Sequence, residues 1–291
     1  SYLQNILHLE TGDRLVIILH NCLQYIVAAL GAIRAGIILV GVNPGSTERE
    51  LAHLLSDCSP RAIFTNTETS TAMQGLFAEA GVRHVIVTDG NDYKEMFAGR
   101  RSEECVCFLS AINQGLLDSY KKPAVDGSSV AVIQYTGGTT GLPKGVMLTN
   151  RNLVFAVLAQ SAWSAGYVRK DDVVLSIVPL YHIFGLVAIN IRCLYTGCRN
   201  YLIRDIRNYP GIVEDLGRLR PAFLPGVSTV FYKLLKTPGF RDLDFSNLRL
   251  SVSGGMPTQI QVMEEWHRVT GQHIFEGYAL TECGSCCCQS P

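Results

Sequence analysis

Short apolar runs alternate with amphipathic segments through the first third of the chain. Residues 15–20 and 37–42 are predicted strands, and residues 23–35 between them repeat their apolar positions with helical spacing. Thr47 and Glu50 have the spacing of a capping box, which predicts a helix from there to about residue 57. Further along, the pattern predicts a strand at 62–65, a helix at 71–80 and a strand at 82–88. Strands and helices in alternation favour a parallel sheet covered by helices on both faces.

A polar, irregular stretch at residues 89–127 is interpreted as a connection, and the alternation restarts at residue 128. Predicted strands follow at 130–135, 145–148, 173–178, 200–203, 222–224, 248–253 and 273–276. Predicted helices lie at 150–165, 183–195, 210–219, 227–236 and 258–270. The expected fold is α/β, with two helix-flanked, mostly parallel β-sheet subdomains. The first is residues 1–127, including the connection, and the second is residues 128–291.

Composition narrows the classes of protein that fit this pattern. Hydrophobic residues make up 47% of the 291 positions, which is enough for a large core. Lys plus Arg and Asp plus Glu both number 25, so the formal net charge is zero and gives no support for a nucleic-acid partner. The ten cysteines are scattered, and the first residues lack the pattern of a secretory signal. Both features favour free thiols and a cytoplasmic location.

The two most apolar stretches are too interrupted to predict a membrane-spanning helix. Residues 26–42 contain Arg34 and two glycines, and residues 183–195 are short and contain Asn190 and Arg192. Both are interpreted as buried elements of the core. Peripheral contact with a membrane surface and the oligomeric state are left open.

The most informative segment is the sequence YTGGTTGLPKG at residues 135–145. Its glycines let the backbone turn tightly and bring N–H groups close to a ligand, while threonines supply hydroxyl donors and Lys144 a positive charge. These features predict a polyphosphate-binding loop formed by Thr136, Gly137, Gly138, Thr139, Thr140, Gly141 and Lys144. The alternative, an ordinary hairpin turn, seldom needs so many residues.

The loop differs from the two commonest nucleotide-binding motifs. A Walker A loop places Gly-Lys before Ser or Thr and a helix, whereas here Lys144 precedes Gly145 and a predicted strand. No GxGxxG pattern follows the first strand, which disfavours a dinucleotide-dependent dehydrogenase. The segment instead resembles the phosphate-binding signature of the adenylate-forming superfamily of acyl- and aryl-CoA synthetases, luciferases and peptide-synthetase adenylation domains. Most of the chain resembles bacterial long-chain fatty acyl-CoA synthetases, which implies the large N-terminal domain of that fold without its C-terminal lid domain.

Residues 277–282, with the sequence GYALTE, resemble the GYGxTE motif of the same superfamily. The resemblance implies that Gly277 and Tyr278 belong to the nucleotide site, with the Tyr278 ring against adenine. It also implies that Thr281 contacts the α-phosphate region and that Glu282 holds Mg²⁺, a cation that prefers hard carboxylate ligands. Ala279 stands where the superfamily usually has glycine, so its methyl group is expected to crowd the nucleotide slightly.

Two further segments resemble the superfamily in the same order along the chain. Gly254, Gly255 and Met256 resemble its adenine-side loop, although taken alone they are more typical of a plain strand-to-helix turn. His182, in the sequence PLYHIFG, resembles the histidine that gates or positions the acid. A histidine among apolar residues can equally be a packed residue of the core, and no general-base role is assigned to it.

The resemblance implies a two-step reaction with fatty acid, ATP and CoA as substrates and Mg²⁺ as cofactor. A carboxylate attacks the α-phosphate of ATP to give acyl-AMP and pyrophosphate, and the thiol of CoA then displaces AMP. The predicted catalytic set is Lys144, His182, Thr281 and Glu282, with Lys144 screening the outgoing pyrophosphate. Alternatives left open are an aryl- or medium-chain acid–CoA ligase and a non-catalytic nucleotide- or acyl-binding remnant.

The C-terminal end of the sequence leads to a further expectation. The chain stops nine residues after Glu282, before the ribose-binding motif and the lid domain of the superfamily, so weak or absent turnover is expected. Cys283 and Cys286 have the C-x-x-C spacing of a zinc site, but no second suitable pair follows. A cysteine-rich accident of sequence, with no closing structural element, is the preferred interpretation of this tail.

Overall fold

The alternating strands and helices build one β-sheet in each of two units, Ser1–Arg151 and Asn152–Pro291. The computed structural model describes residues 1–89, 106–137 and 142–290. Both sheets are mostly parallel and flanked by helices, which confirms the predicted α/β fold. Among the described residues, none of the helices combines the length and the apolar character needed to cross a bilayer.

The first unit contains a seven-stranded sheet. Its strands are β1 (Arg14–Ile18), β2 (Ile38–Val42), β3 (Ala62–Thr65), β4 (His84–Val87), β5 (Val106–Cys107), β6 (Val130–Thr136) and β7 (Lys144–Thr149). Its helices are α1 (Leu23–Arg34), α2 (Glu48–Cys58), α3 (Thr67–Ala72), α4 (Gln74–Glu79) and α5 (Phe108–Leu116), after a π-helical turn at Tyr2–Ile6. The strand order is β5-β4-β3-β1-β2-β6-β7, and only the β6–β7 pair is antiparallel.

One core cluster of the first unit lies between the sheet and α2. Apolar side chains of β1, β2 and β3 are buried against Leu51, Leu54 and Leu55. The predicted capping box is present: the Glu50 backbone N–H donates to Thr47 Oγ1, and the Thr47 N–H donates to the Glu50 carboxylate at 2.8 Å. These bonds satisfy N–H groups that the first turn of a helix otherwise leaves unpaired, which is why α2 begins where the sequence predicts.

The second unit contains a six-stranded sheet. Its strands are β8 (Val173–Ser176), β9 (Arg199–Leu202), β10 (Phe223–Gly226), β11 (Leu250–Gly254), β12 (Ile274–Leu280) and β13 (Ser285–Gln289). Its helices are α6 (Asn150–Trp163), which begins at the end of the first unit, α7 (Arg192–Thr196), α8 (Tyr209–Leu219), α9 (Ser228–Lys236) and α10 (Ile260–Thr270). A π-helical segment (Phe184–Ile191) runs directly into α7. The strand order is β13-β12-β11-β10-β8-β9, with only β12 and β13 antiparallel.

The described boundary between the units differs from the predicted division at residues 127 and 128. The β6–β7 hairpin belongs to the first sheet because β6 pairs in parallel with β2, through Leu39–Val132, Val40–Ile133 and Gly41–Gln134. The phosphate-loop hairpin is therefore part of the first unit, which extends to Arg151.

Three elements differ from the sequence prediction. The connection predicted to be irregular contains β5 and α5, while residues 90–105 lie outside the described structure. The single helix predicted at 71–80 is two short ones, α3 and α4. The cysteine-rich tail, predicted to lack a closing element, forms β13, because a tight turn at Gly284 (φ +73°) brings it back along the free edge of β12.

Candidate functional site

A cavity of about 350 Å³ lies in the second unit, by the carboxyl ends of β11 and β12. Ligands of open parallel sheets commonly bind at this edge. Six of the residues selected from the sequence line it: His182, Gly254, Gly255, Met256, Gly277 and Thr281. The structure therefore brings together three segments that are far apart along the chain. Most other lining side chains are apolar, such as Ile183, Val227 and Val252.

The glycine loop after β11 presents bare backbone to this cavity. A Cβ atom on Gly254 would lie 3.4 Å from the Phe184 ring, and Gly255 has a φ of +82°, which disfavours any side chain. The loop is held by Thr258, whose backbone N–H donates to Glu276 Oε1 at 2.7 Å and whose hydroxyl donates to Ser253 Oγ at 2.7 Å. The sequence analysis missed Thr258 and Glu276, since no short motif marks their contact.

The end of β12 carries the GYALTE segment. Gly277 is packed closely, since a Cβ there would lie 3.2 Å from Cys286 Sγ, whereas the Tyr278 side chain is 61% exposed. Ala279 also lines the cavity, where its methyl group reduces the available space. Thr281 begins a short 3₁₀ turn (Thr281–Cys283), and Glu282 lies exposed within that turn. Among the described residues, no three His, Cys, Asp or Glu side chains cluster as metal ligands would.

His182 lies where the chain leaves β8 and approaches the π-helical segment. Its backbone N–H donates to the Pro179 carbonyl at 3.1 Å, and its own carbonyl accepts from Leu186 N–H at 2.9 Å. The side chain faces the cavity, and displacement of water by surrounding protein lowers the pKa of His182 below its usual value. Gly185 permits the close packing of this turn, because a Cβ there would lie 2.1 Å from the Pro179 oxygen.

The described residues of the Gly/Thr loop, Thr136, Gly137 and Lys144, lie in the first unit, where β6 ends and β7 begins. Thr136 is the last residue of β6 and pairs with Lys144, the first residue of β7. Gly137 is exposed, with nothing within 4 Å of an added Cβ, and the Lys144 side chain is also exposed. The predicted residues Gly138, Thr139, Thr140 and Gly141 lie outside the described residues.

Helix α2 anchors both sides of this hairpin. His53 Nε2 lies 3.0 Å from the Pro143 carbonyl and donates to it in the tautomer with a proton on that nitrogen. The Tyr135 hydroxyl donates to Asp57 Oδ2 at 2.5 Å, and burial is the main cause that raises the pKa of Tyr135. These contacts fix Tyr135 near the end of β6 and Pro143 just before β7. The sequence analysis missed His53 and Asp57, because their partners lie about 80 to 90 residues further along the chain.

Comparisons with known proteins identify the family to which this chain belongs. The model of the family described as AMP-binding enzyme matches residues 1–291. A long-chain-fatty-acid–CoA ligase of Yersinia pestis is 39% identical over 300 residues, covering 97% of this chain and 53% of the ligase. This chain therefore spans about half the length of the curated relatives it matches.

Solved structures show the same fold. The anthranilate CoA ligase AuaEII in complex with anthranoyl-AMP has a TM-score of 0.86 at 20% identity, over 99% of this chain and 54% of that one. ATP-bound MatB from Rhodopseudomonas palustris has a TM-score of 0.81 at 25% identity, over 99% of this chain and 54% of that one. With the family model matched along its full length, the chain belongs to the AMP-binding enzyme family.

Proposed function

We propose that this chain is the acid- and nucleotide-binding part of an ATP-dependent fatty acid–CoA ligase. The observation that carries the proposal is the cavity in the second unit, where apolar walls suited to an acyl chain meet the bare backbone of Gly254 and Gly255 and the hydroxyl of Thr281. The name of the Yersinia pestis relative supports a long-chain acid as substrate.

The proposed reaction has two steps. A carboxylate oxygen of the acid attacks the α-phosphate of ATP, forming acyl-AMP and releasing pyrophosphate. The thiol sulfur of CoA then attacks the acyl carbon, forming the thioester and releasing AMP. Neither step needs a protein nucleophile, so the residues act by positioning the reactants and neutralising charge.

Each proposed site residue has one role in these steps. The loop of Thr136, Gly137, Gly138, Thr139, Thr140 and Gly141 binds the phosphates through N–H and hydroxyl donors, and Lys144 screens the departing pyrophosphate. Adenine is assigned to the exposed aromatic face of Tyr278 and to the backbone of Gly277, Gly254, Gly255 and Met256, which line the cavity while Tyr278 does not. His182, kept neutral at pH 7 by its lowered pKa, orients the acid by a hydrogen bond.

Glu282 is suited to be a ligand of the Mg²⁺ ion that such a reaction uses. Its carboxylate is exposed beside Thr281, and Mg²⁺ commonly takes only one or two protein carboxylates, together with water and substrate phosphates. When bound, the ion neutralises phosphate charge, and Glu282 supplies the oxygen ligand that holds it.

Isothermal titration of the chain with ATP·Mg²⁺ tests this proposal. Saturable binding is expected, and Glu282→Ala is expected to weaken it in the presence of Mg²⁺ but not for ATP in EDTA, because Glu282 acts through the ion. Glu264→Ala is the matched control, since Glu264 is an exposed carboxylate on α10 in the same unit.

Two results would contradict the proposal. One is a folded chain, verified by circular dichroism, that does not bind ATP·Mg²⁺. The other is equal binding by Glu282→Ala and Glu264→Ala with Mg²⁺ present, which would remove Glu282 from the site.

A further inference from the structure

Arg192 is a charged side chain buried at the inner part of the cavity. It is the first residue of α7, only 2% of its surface is exposed, and it lines the same cavity as the glycine loop. Phe184, Ala188 and Arg192 follow one another at four-residue spacing and all line the cavity. They therefore form one continuous wall of it.

The guanidinium group is not fully paired. Its Cζ lies 4.7 Å from the centre of the Phe223 ring, which stabilises a cation through the ring face. Nη2 has no hydrogen-bond partner among the described residues, and Arg192 forms no ion pair with any described carboxylate. The titratable groups that face it are the thiols of Cys193 and Cys198.

A buried, incompletely paired cation is costly for a protein. Burial lowers the pKa of Arg192, as expected for a cation removed from water, yet arginine stays protonated at neutral pH. Leaving such a group without a hydrogen-bonding anion usually destabilises the folded state. A leucine or methionine would fill the same space in an apolar acyl pocket without this cost.

The position of Arg192 defines which part of a ligand would meet it. Phe184 lies beside Gly254, near the carboxyl end of β11, whereas Arg192 stacks on Phe223, the first residue of β10. Arg192 lies eight positions after Phe184 along this helical stretch, a distance on the order of 10 Å. An acid with its reacting carboxyl group by His182 and Thr281 would therefore reach Arg192 with the far end of its chain.

We propose that Arg192 binds a second carboxylate at the distal end of the acyl chain, so that the acid accepted by this pocket is an α,ω-dicarboxylic acid. The inference rests on the proposed function for the orientation of the acid. The acid would carry an anionic carboxylate where an ordinary fatty acid has an apolar chain terminus. A carboxylate matches the fork of the guanidinium group and neutralises its charge, which a neutral acceptor does not do.

The test compares acids that differ only at the distal end. Octanedioic, dodecanedioic and hexadecanedioic acids are titrated into the chain by calorimetry, each beside its monomethyl ester and the monocarboxylic acid of equal length. At the best-fitting length, the diacid is expected to bind about tenfold or more tighter than its ester, the usual strength of a buried hydrogen bond to a charged group. Equal binding of diacid and ester, or binding of neither, would overturn the proposal.

Two variants locate the effect. Arg192→Met keeps a long side chain without charge and is expected to abolish the preference for the diacid while strengthening binding of the monocarboxylic acid. Arg204→Met removes a charge from an exposed position of the same unit and is expected to keep the preference. A preference that survives in Arg192→Met would overturn the role of Arg192, and if that variant does not fold, the comparison on the unaltered chain still decides.

The outcome is separable from that of the proposed function. Binding of ATP·Mg²⁺ without a diacid preference would reject the role of Arg192 and leave the ligase proposal standing. An Arg192-dependent diacid preference in a chain that does not bind ATP·Mg²⁺ would keep the dicarboxylate site and reject the ligase proposal.

Discussion

Trp266 is the largest side chain that is fully buried, and it joins three elements of the second unit. Its ring centroid lies 4.8 Å from that of Phe231 on α9 and 5.4 Å from that of Phe240. Its indole N–H donates to Ser251 Oγ on β11 at 3.2 Å. Trp266 thus holds α10 against the strand that carries the glycine loop.

Trp266→Ala is expected to lower the free energy of unfolding of the second unit by about 3–5 kcal/mol, because it leaves a large cavity and an unpaired buried hydroxyl. Urea unfolding followed by tryptophan fluorescence measures this, since the remaining tryptophan, Trp163, lies in the same unit. Ile260→Ala, on the same helix but 67% exposed, is the control and is expected to change stability by no more than about 0.5 kcal/mol.

Among the described cysteines, Cys198 has a pKa that is lowered toward the range where the reactive thiolate forms. A hydrogen bond from Cys193 is the main cause that lowers the pKa of Cys198 to about 6, and Thr196 Oγ1 lies 3.1 Å from its sulfur. The opposite holds for Cys58, where burial raises the pKa to about 12.

A lowered pKa means that the thiolate persists to lower pH, so alkylation of Cys198 by iodoacetamide is expected to rise through about pH 6. Peptide mapping by mass spectrometry at a series of pH values measures the rate for each cysteine. Cys58 should stay unreactive throughout, and Cys193→Ala should move the rise at Cys198 to higher pH. A rise at Cys198 only above pH 8 would contradict the hydrogen-bond explanation.

At the scale of elements, helix α2 shows that hydrogen bonds between neighbouring residues can determine where a helix begins. Thr47 and Glu50 satisfy each other's backbone N–H groups, so the start of the helix is set by four consecutive residues. The same bonds lower the pKa of Glu50, so their contribution to stability is present at neutral pH and is lost as pH falls through that lowered value.

Thr47→Ala is expected to destabilise the first unit by about 1 kcal/mol, because the Glu50 N–H loses its acceptor and the Glu50 carboxylate loses the Thr47 hydroxyl donor. Thermal unfolding followed by circular dichroism measures the change at pH 7 and at a series of lower pH values. Ser56→Ala, at an exposed position of the same helix, should unfold like the unaltered chain. A Thr47→Ala effect that stays the same while the Glu50 carboxylate becomes protonated would contradict the reciprocal role of Glu50.

Local patterns predicted elements well where the signal lies within a few residues. Pro210 in the first turn of α8 and Gly271 (φ +72°) after α10 mark ends that the sequence analysis placed within two residues. Strand β13 was not predicted, since its pairing partner, β12, rather than its own sequence of serine and cysteines, makes it a strand. Arg192 was noticed only as an interruption of an apolar run, because its burial depends on Phe223, 31 residues later.

At the scale of the whole molecule, the fold class could be predicted from the alternation of strands and helices, and the division into units could not. The alternation restarts at residue 128, but the pairing of β6 with β2 joins residues more than 90 positions apart, and it assigns the hairpin to the first sheet. His182, Gly254 and Thr281 meet at one cavity, while the contacts that hold the glycine loop and the hairpin come from distant parts of the chain.

Strand β13 gives the cavity an unusual wall. Ser285, Cys286 and Gln289 line the cavity, and Ser285 Oγ accepts a hydrogen bond from Gln160 on α6. The strand is the edge of its sheet, so within the sheet it is held on one side only. Edge strands open locally at a lower free energy than the strands between them. We therefore expect the lifetime of a bound molecule to depend on how often this strand opens, and a substitution that stabilises the pairing of β13 with β12 to slow release.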